Sequence, residues 1–323
     1  MEGGDQGMED EELGERKAAK LRDPRRPNKE QIAEHELSGH LPMRDWCPHC
    51  VRGRGMEAPH RRAEEGAEMP EVSLDFFFIS DPGQDHTWTL VAARERGTRM
   101  TLATAMPAKG ADAFVARRVV AFFREIGCEQ GDMVVHSDQE PAIQALITAV
   151  GKVRAAAGGG KMIVEASPVG HSASNGVAER AIREVEQQIR TMRSALETRW
   201  GVKLDGRHPI FAWMAENAAV LINRFLVGRD GKTAYERSKG KKSKMMGLEF
   251  GERVHWKRKV ADAGREQRQA LGKLDSLWSE GVYLGVKATT GEIIVGDAEG
   301  VWRTRTVRRM PWEERWQREG RRW

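Results

Sequence analysis

Residues 71–79, EVSLDFFFI, constrain the fold more than any other stretch of this chain, because after the opening Glu71 they form a β-prone apolar run that carries a single acid, Asp75. Period-two alternation places Leu74, Phe76 and Phe78 on one face and Ser73, Asp75, Phe77 and Ile79 on the other. The run reads as a buried strand, and a carboxylate on such a strand is costly unless a cation or a hydrogen-bond donor compensates it. Two more strand-like runs follow at 87–93 and 100–106 in a hairpin-like succession. An amphipathic helix is predicted over 111–126, a strand over 133–136, a helix over 141–150, a strand over 162–166 and a long helix over 175–200. Three strands followed by alternating helices and strands indicate an α/β fold.

Two further acids stand where such a fold turns. Asp138 lies in MVVHSDQEPAIQALI, a strand that ends on an acid and turns into a helix; Glu179 lies in HSASNGVAERAIREVEQQIR, a glycine loop that opens a helix. Three carboxylates supply the hard oxygen ligands that suit Mg²⁺ or Mn²⁺, and a metal pair can activate the attacking oxygen and stabilise the leaving oxygen of a phosphodiester. Each acid also has a plainer role open to it. Asp75 can pair with an arginine, Asp138 can cap the following helix with Ser137 as the other candidate cap, and Glu179 can pair with Arg183 on a solvated face. The last helix buries Ala178, Ile182, Val185, Ile189, Met192 and Leu196 on one stripe. Glu179, Arg183, Glu186, Arg190 and Arg193 follow on the next face, with Glu184 and Glu186 as rival ligands.

The order Asp, Asp, Glu, with SDQEPA at the second site and SNGVAER at the third, resembles the catalytic core of retroviral and retrotransposon integrases, most closely those of copia-like elements. The similarity runs from about residue 34 to residue 310, and the order of elements is that of a ribonuclease H-like core. The resemblance implies a polynucleotidyl transferase that nicks DNA at an element's end and directs the freed 3′-hydroxyl onto target DNA. Asp75 would bridge two ions, with Asp138 and Glu179 each completing one site. It also implies DNA ends and target duplex as partners, a homo-oligomer when active and a nuclear location. The alternative is a catalytically silent or domesticated remnant that holds DNA without cutting it. Residues 139–178, between the second and third acids, form a longer span than the family usually has. GKVRAAAGGGK at 151–161 accounts for the extra length and has the composition of a mobile loop.

Before the core, His35, His40, Cys47 and Cys50 can supply four zinc ligands, because Cys-x-x-Cys is the knuckle spacing and thiolate with imidazole suits tetrahedral Zn²⁺. They resemble the His-His-Cys-Cys domain that precedes integrase cores, although the stretch between His40 and Cys47 is much shorter than in that family; His49 and His60 are alternative ligands. Beyond the core, short alternating runs separated by glycine at 251–259, 279–287, 291–300 and 301–310 carry a small β-barrel signature that resembles the SH3-like domain of integrases. Trp256, Lys257, Arg258, Lys259, Trp302, Arg303, Arg305, Arg308 and Arg309 combine aromatic rings with cations there, a mixture suited to nucleic acid. The expected organisation is therefore a disordered charged tail (1–30), a His/Cys segment (31–55), a linker (56–69) and a ribonuclease H-like core (70–200). A helical extension (201–247), an SH3-like barrel (248–311) and a charged tail (312–323) follow. The net charge of +5 favours a polyanionic partner. Three cysteines argue against a disulfide scaffold, Cys128 reading as a small core residue. No apolar run reaches membrane-span length, so a soluble intracellular protein with no membrane partner is expected.

Overall fold

The computed structural model describes residues 27–37, 40, 44–54, 69–81, 85–166, 176–244, 247–257 and 276–316. The chain divides into two compact units, Met1–Gly66 and Ala67–Trp323. In the first, α1 (Lys29–Leu37) and α2 (Pro48–Arg54) are the described elements. The helix α1 begins inside the segment expected as tail; residues 1–26 and most of the predicted linker lie outside the described residues.

The second unit is built on a mixed sheet of β1 (Glu71–Ser80), β2 (Thr87–Glu95), β3 (Thr101–Met106), β4 (Met133–Ser137) and β5 (Met162–Ala166), in the order β3-β2-β1-β4-β5. Pairing is antiparallel from β1 to β2 and from β2 to β3, and parallel from β1 to β4 and from β4 to β5. The alternation in β1 sorts its side chains as the sequence predicts. Leu74 and Phe76 enter a core with α3 (Ala113–Glu125) and α4 (Pro141–Ala156), whereas Phe77 enters the opposite core with α5 (Gly176–Trp200) and α6 (Ile210–Phe225). Asp75 shares the face of Phe77.

The helix α3 starts two residues later than predicted because Asp112 caps it, its carboxylate accepting from the Val115 amide at 2.8 Å. The segment 151–161, expected as a mobile loop, is largely helix: α4 runs through it to Ala156 and closes on a left-handed Gly158 (φ 78°). The cause is Arg154, 2% exposed, whose guanidinium donates to the carbonyls of Cys128 (3.0 Å), Gly131 and Gly160 (2.5 Å). A side chain at Gly159 would run into Arg154 and the Glu129 carbonyl, and one at Gly160 into the Gln130 carbonyl and Asp132, so the glycines serve close packing there. Cys128 is buried in the core as expected, and burial pushes its thiol up to about 11.

After the short helix α7 (Ala234–Lys239), a second sheet comprises β6 (Arg253–Lys257), β7 (Trp278–Val286), β8 (Ile293–Asp297), β9 (Gly300–Thr304) and β10 (Val307–Arg309), in the order β10-β6-β7-β8-β9. One face packs on α6 through Val282, Leu284 and Ile294; the other encloses Val254, Trp256, Tyr283, Ile293, Val295 and Val307. The expected barrel is not observed: among the described residues β10 and β9 remain the two edges of an open sheet.

Candidate functional site

The parallel pairing of β1 with β4 brings the first two acids together. Glu71 faces Val134, Val72 faces Val135 and Ser73 faces His136. The same offset carried two residues further sets Asp75, midway along β1, beside Asp138, just past the C-terminal end of β4. Burial first, then the charge of Asp138, pushes the Asp75 carboxyl up to about 6. Glu140 and Glu179 add to the rise, and the Phe76 amide, donating to Oδ1 at 2.7 Å, opposes it. Glu179 lies in the first turn of α5, exposed, where the helix N-terminus favours negative charge.

The plainer roles fare differently. Glu140, not Ser137 or Asp138, occupies the N-cap of α4, without a side-chain cap bond, and Pro141 opens the helix two residues later than a cap at Asp138 requires. Asp138 accepts the Glu140 amide at 3.1 Å. Its backbone is fixed by Gln144, whose Nε2 donates to Ser137 Oγ (2.9 Å) and to the Asp138 carbonyl (2.7 Å). Among the described residues Glu179 has no ion-pair partner, Arg183 included. The rival acids are engaged: Glu184 pairs with Arg94 at 2.5 Å and Arg180 at 3.1 Å, and Glu186 lies 3.8 Å from Arg190.

The chemistry of the donor set at Asp75, Asp138 and Glu179 fits a hard divalent cation, since all three offer carboxylate oxygens. Their ligand atoms are not within 4.8 Å of one another, a closeness that among the described residues only His35, His40, Cys47 and Cys50 reach.

Sequence reasoning missed Glu140, Lys109 and Arg94. Lys109 pairs with Glu140 at 2.5 Å and lies 5.0 Å above the Phe78 ring at the same sheet edge. Glu140 stood in the quoted SDQEPA segment; Lys109 and Arg94 carried no signal, because pairing across the sheet is what brings them near.

The predicted nucleic-acid contacts divide. Arg183 and Arg190 are exposed on α5. Arg193 is a brace instead: its guanidinium donates to both oxygens of Asp81, to Glu197 at 2.9 Å and to the Leu204 carbonyl at 2.9 Å, and it stacks on Phe211. Bonds to Asp81, resisted by burial, and to Glu197 hold its proton far more tightly than usual. Lys257, Arg305 and Arg308 are exposed on the second sheet, Arg308 lying 5.8 Å from the Trp278 ring, and Arg258 is outside the described residues. Trp256 is 1% exposed and stacks on Trp302 at 5.8 Å, so it belongs to the core.

In the first unit, α1 supplies His35 and α2 supplies Cys50, with Cys47 just before α2 and His40 between the helices. Cys50 Sγ lies 3.3 Å from His35 Nε2, and Cys47 Sγ lies 3.6 Å from His40 Nδ1. Tetrahedral zinc with bonds of about 2.0–2.3 Å separates such ligand atoms by about 3.5 Å, so the set fits that ion. Trp46 packs edge-on against His35 at 4.9 Å and fixes its ring. Burial opposes ionisation of Cys47, yet amide and side-chain donors at Cys50 and the His49 amide hold its thiol below the ordinary value. His49 is exposed and outside the set; His60 is outside the described residues.

No protein-family model and no curated protein matches this chain. Solved structures with a similar arrangement are retroviral integrases. One is the simian T-cell lymphotropic virus intasome in complex with PP2A regulatory subunit B56 gamma, at TM-score 0.44 and 11% identity over 82% of this chain and 87% of that one. Two others are the HTLV-2 integrase catalytic core domain in complex with magnesium. The trimeric form has TM-score 0.37, 10% identity and coverage of 52% of this chain and 95% of that one; the dimeric form has TM-score 0.35, 10% identity, 53% and 95%.

Proposed function

We propose that this chain is an integrase-type polynucleotidyl transferase of a copia-like retrotransposon, carrying out metal-dependent DNA end processing and strand transfer. The observation that carries the reading is the alignment of Asp75, midway along β1, with Asp138, just past the end of the adjacent parallel strand β4, close enough to Glu179 that all three share one field. Bound Mg²⁺ or Mn²⁺ would activate the attacking oxygen and stabilise the leaving one. Asp75 would contact both ions, and Asp138 and Glu179 one each. In the first step a water oxygen bonds to phosphorus as the bond to the 3′-oxygen breaks, leaving a 3′-hydroxyl. In the second, that 3′-oxygen bonds to a target phosphorus as the target's own bond from phosphorus to its 3′-oxygen breaks, joining the two strands and releasing a target 3′-oxygen that takes up a proton. Gln144 and Ser137 keep the Asp138 backbone from turning away. Exposed Arg183, Arg190, Lys257, Arg305 and Arg308, with Arg258, would hold phosphates without reading sequence.

The remaining parts follow the same proposal: residues 70–200 as the ribonuclease H-like core, 201–247 as a helical extension, 248–311 as a small SH3-like β domain, and 31–55 as a zinc unit. The active form would be a homo-oligomer on DNA in the nucleus. The test is a strand-transfer assay with Mg²⁺ and duplexes that mimic element ends. Asp75→Asn, Asp138→Asn and Glu179→Gln should each abolish cleavage and joining, while Glu184→Gln should retain cleavage chemistry. Binding of the same duplexes without any joining by the unaltered protein would instead support the silent remnant.

A further inference from the structure

The helix that delivers Glu179 needs its register fixed. Its fully buried stripe begins with Ala178 and Ala181, both 0% exposed; Ile182 packs there only partly buried, and fully buried larger side chains start at Val185. Methyl groups make a smooth contact that does not interlock, so packing alone resists sliding or rotation of this first half weakly. Exposed Glu179, without an ion-pair partner among the described residues, has no pairing of its own to correct an error.

Arg94 lies on β2 directly beneath this half. It faces Ser73 on β1 and Thr101 on β3, one pleat behind the Asp75–Ala92 pair on the same face of the sheet. Its side chain is 4% exposed. Nε donates to Thr101 Oγ1 at 2.8 Å, and Nη2 donates to Glu184 Oε2 at 2.5 Å. Thr101 is itself clamped by Asn223 of α6, which accepts its amide at 2.8 Å and donates to its carbonyl at 2.7 Å. The guanidinium is therefore held from below and offers α5 a donor at one fixed position. Burial draws the Arg94 proton affinity down despite Glu184, whereas Arg94 and Arg180 hold the Glu184 carboxyl low against burial. The two directions differ because Arg94 is the more deeply buried partner, and near neutral pH both groups are charged.

We infer that Arg94 and Glu184 form a positioning pair that sets the register of α5 on the sheet, and so places the Glu179 carboxylate opposite Asp75 and Asp138; the inference rests on the proposed metal site. A slip of α5 by one residue moves Glu184 by about 1.5 Å and 100°, which strands a buried guanidinium. The pair also decides which acid of α5 is left for a cation, since it occupies Glu184 and leaves Glu179.

The test is Mn²⁺ titration by electron paramagnetic resonance, together with single-turnover joining, on the full chain. Arg94→Met should raise the half-saturating Mn²⁺ concentration roughly tenfold and slow joining roughly ten- to hundredfold, with the DNA concentration for half-maximal rate unchanged. The double variant with Glu179→Gln should bind Mn²⁺ no worse than Glu179→Gln alone, because both act through one carboxylate. Arg94→Lys, which keeps the charge, should recover part of the loss. Should Arg94→Met fail to fold, Glu184→Ala, altered on the helix surface, should give the same Mn²⁺ shift. A folded Arg94→Met or Glu184→Ala protein with unchanged titration, or losses additive with Glu179→Gln, would overturn the inference. Unchanged Mn²⁺ binding in Asp75→Asn would overturn the metal site itself.

Discussion

At the scale of single residues, Asp75 is where stability and chemistry conflict. Its ordinary value is 3.8 and the folded protein moves it to about 6. The folded state therefore holds the proton more tightly than the unfolded chain between those values, so Asp75 contributes less stability as pH rises through that window. The loss above pH 6 is on the order of 1–2 kcal/mol once solvent screening of a half-buried group is allowed for. Asp75→Asn should raise the melting temperature of metal-free protein by roughly 2–5 °C at pH 7.5 and hardly at pH 4. Calorimetry at the two values checks this; equal shifts at both would mean that ionisation of Asp75 is not the cause. Asp75, Asp138 and Glu179 stood out in the sequence because Asp75 is an acid within an apolar strand, Asp138 marks a turn from strand to helix and Glu179 opens a helix. Glu140, Lys109 and Arg94 were not, since a pairing made across a sheet leaves no trace in local pattern.

Among elements, α4 shows where composition misled. Glycine and alanine at 151–161 read as a flexible loop, but Arg154 satisfies three carbonyls inside the fold and anchors the helix end to the turn after α3. Arg154→Ala should cost about 3 kcal/mol in urea unfolding, because buried acceptors lose a charged donor. Lys152→Ala, on the exposed side of the same helix, should stay within about 0.5 kcal/mol. Equal losses would show that the arginine fills space and nothing more. The strands were read almost to the residue, since period-two patterns mark them. Helix ends shifted by a few positions wherever a cap or a buried partner, such as Asp112 or Arg154, decided the terminus.

On the scale of the whole molecule, the α/β core was legible from the order of its elements, whereas closure of the second sheet was not, because alternation marks strands but does not say which edges meet. The His/Cys set was legible from spacing alone, and its ligand atoms converge despite the short span between His40 and Cys47. If it holds zinc, chelation or Cys47→Ser should open residues 29–54 to protease while leaving fragments of the Ala67–Trp323 unit intact, because only the small unit depends on the metal. Gel analysis after brief digestion reads the difference, and unchanged protection of residues 29–54 would show that the unit stands without metal. The placement of β4 next to β1 also bears on how the chain is made. Asp75 leaves the ribosome 63 residues ahead of Asp138, and the intervening β2, β3 and α3 must emerge before the two strands can pair. Glu179 follows only with α5, whose apolar stripe extends to Trp200. The acids therefore assemble late in synthesis, and no partly translated core carries the complete set.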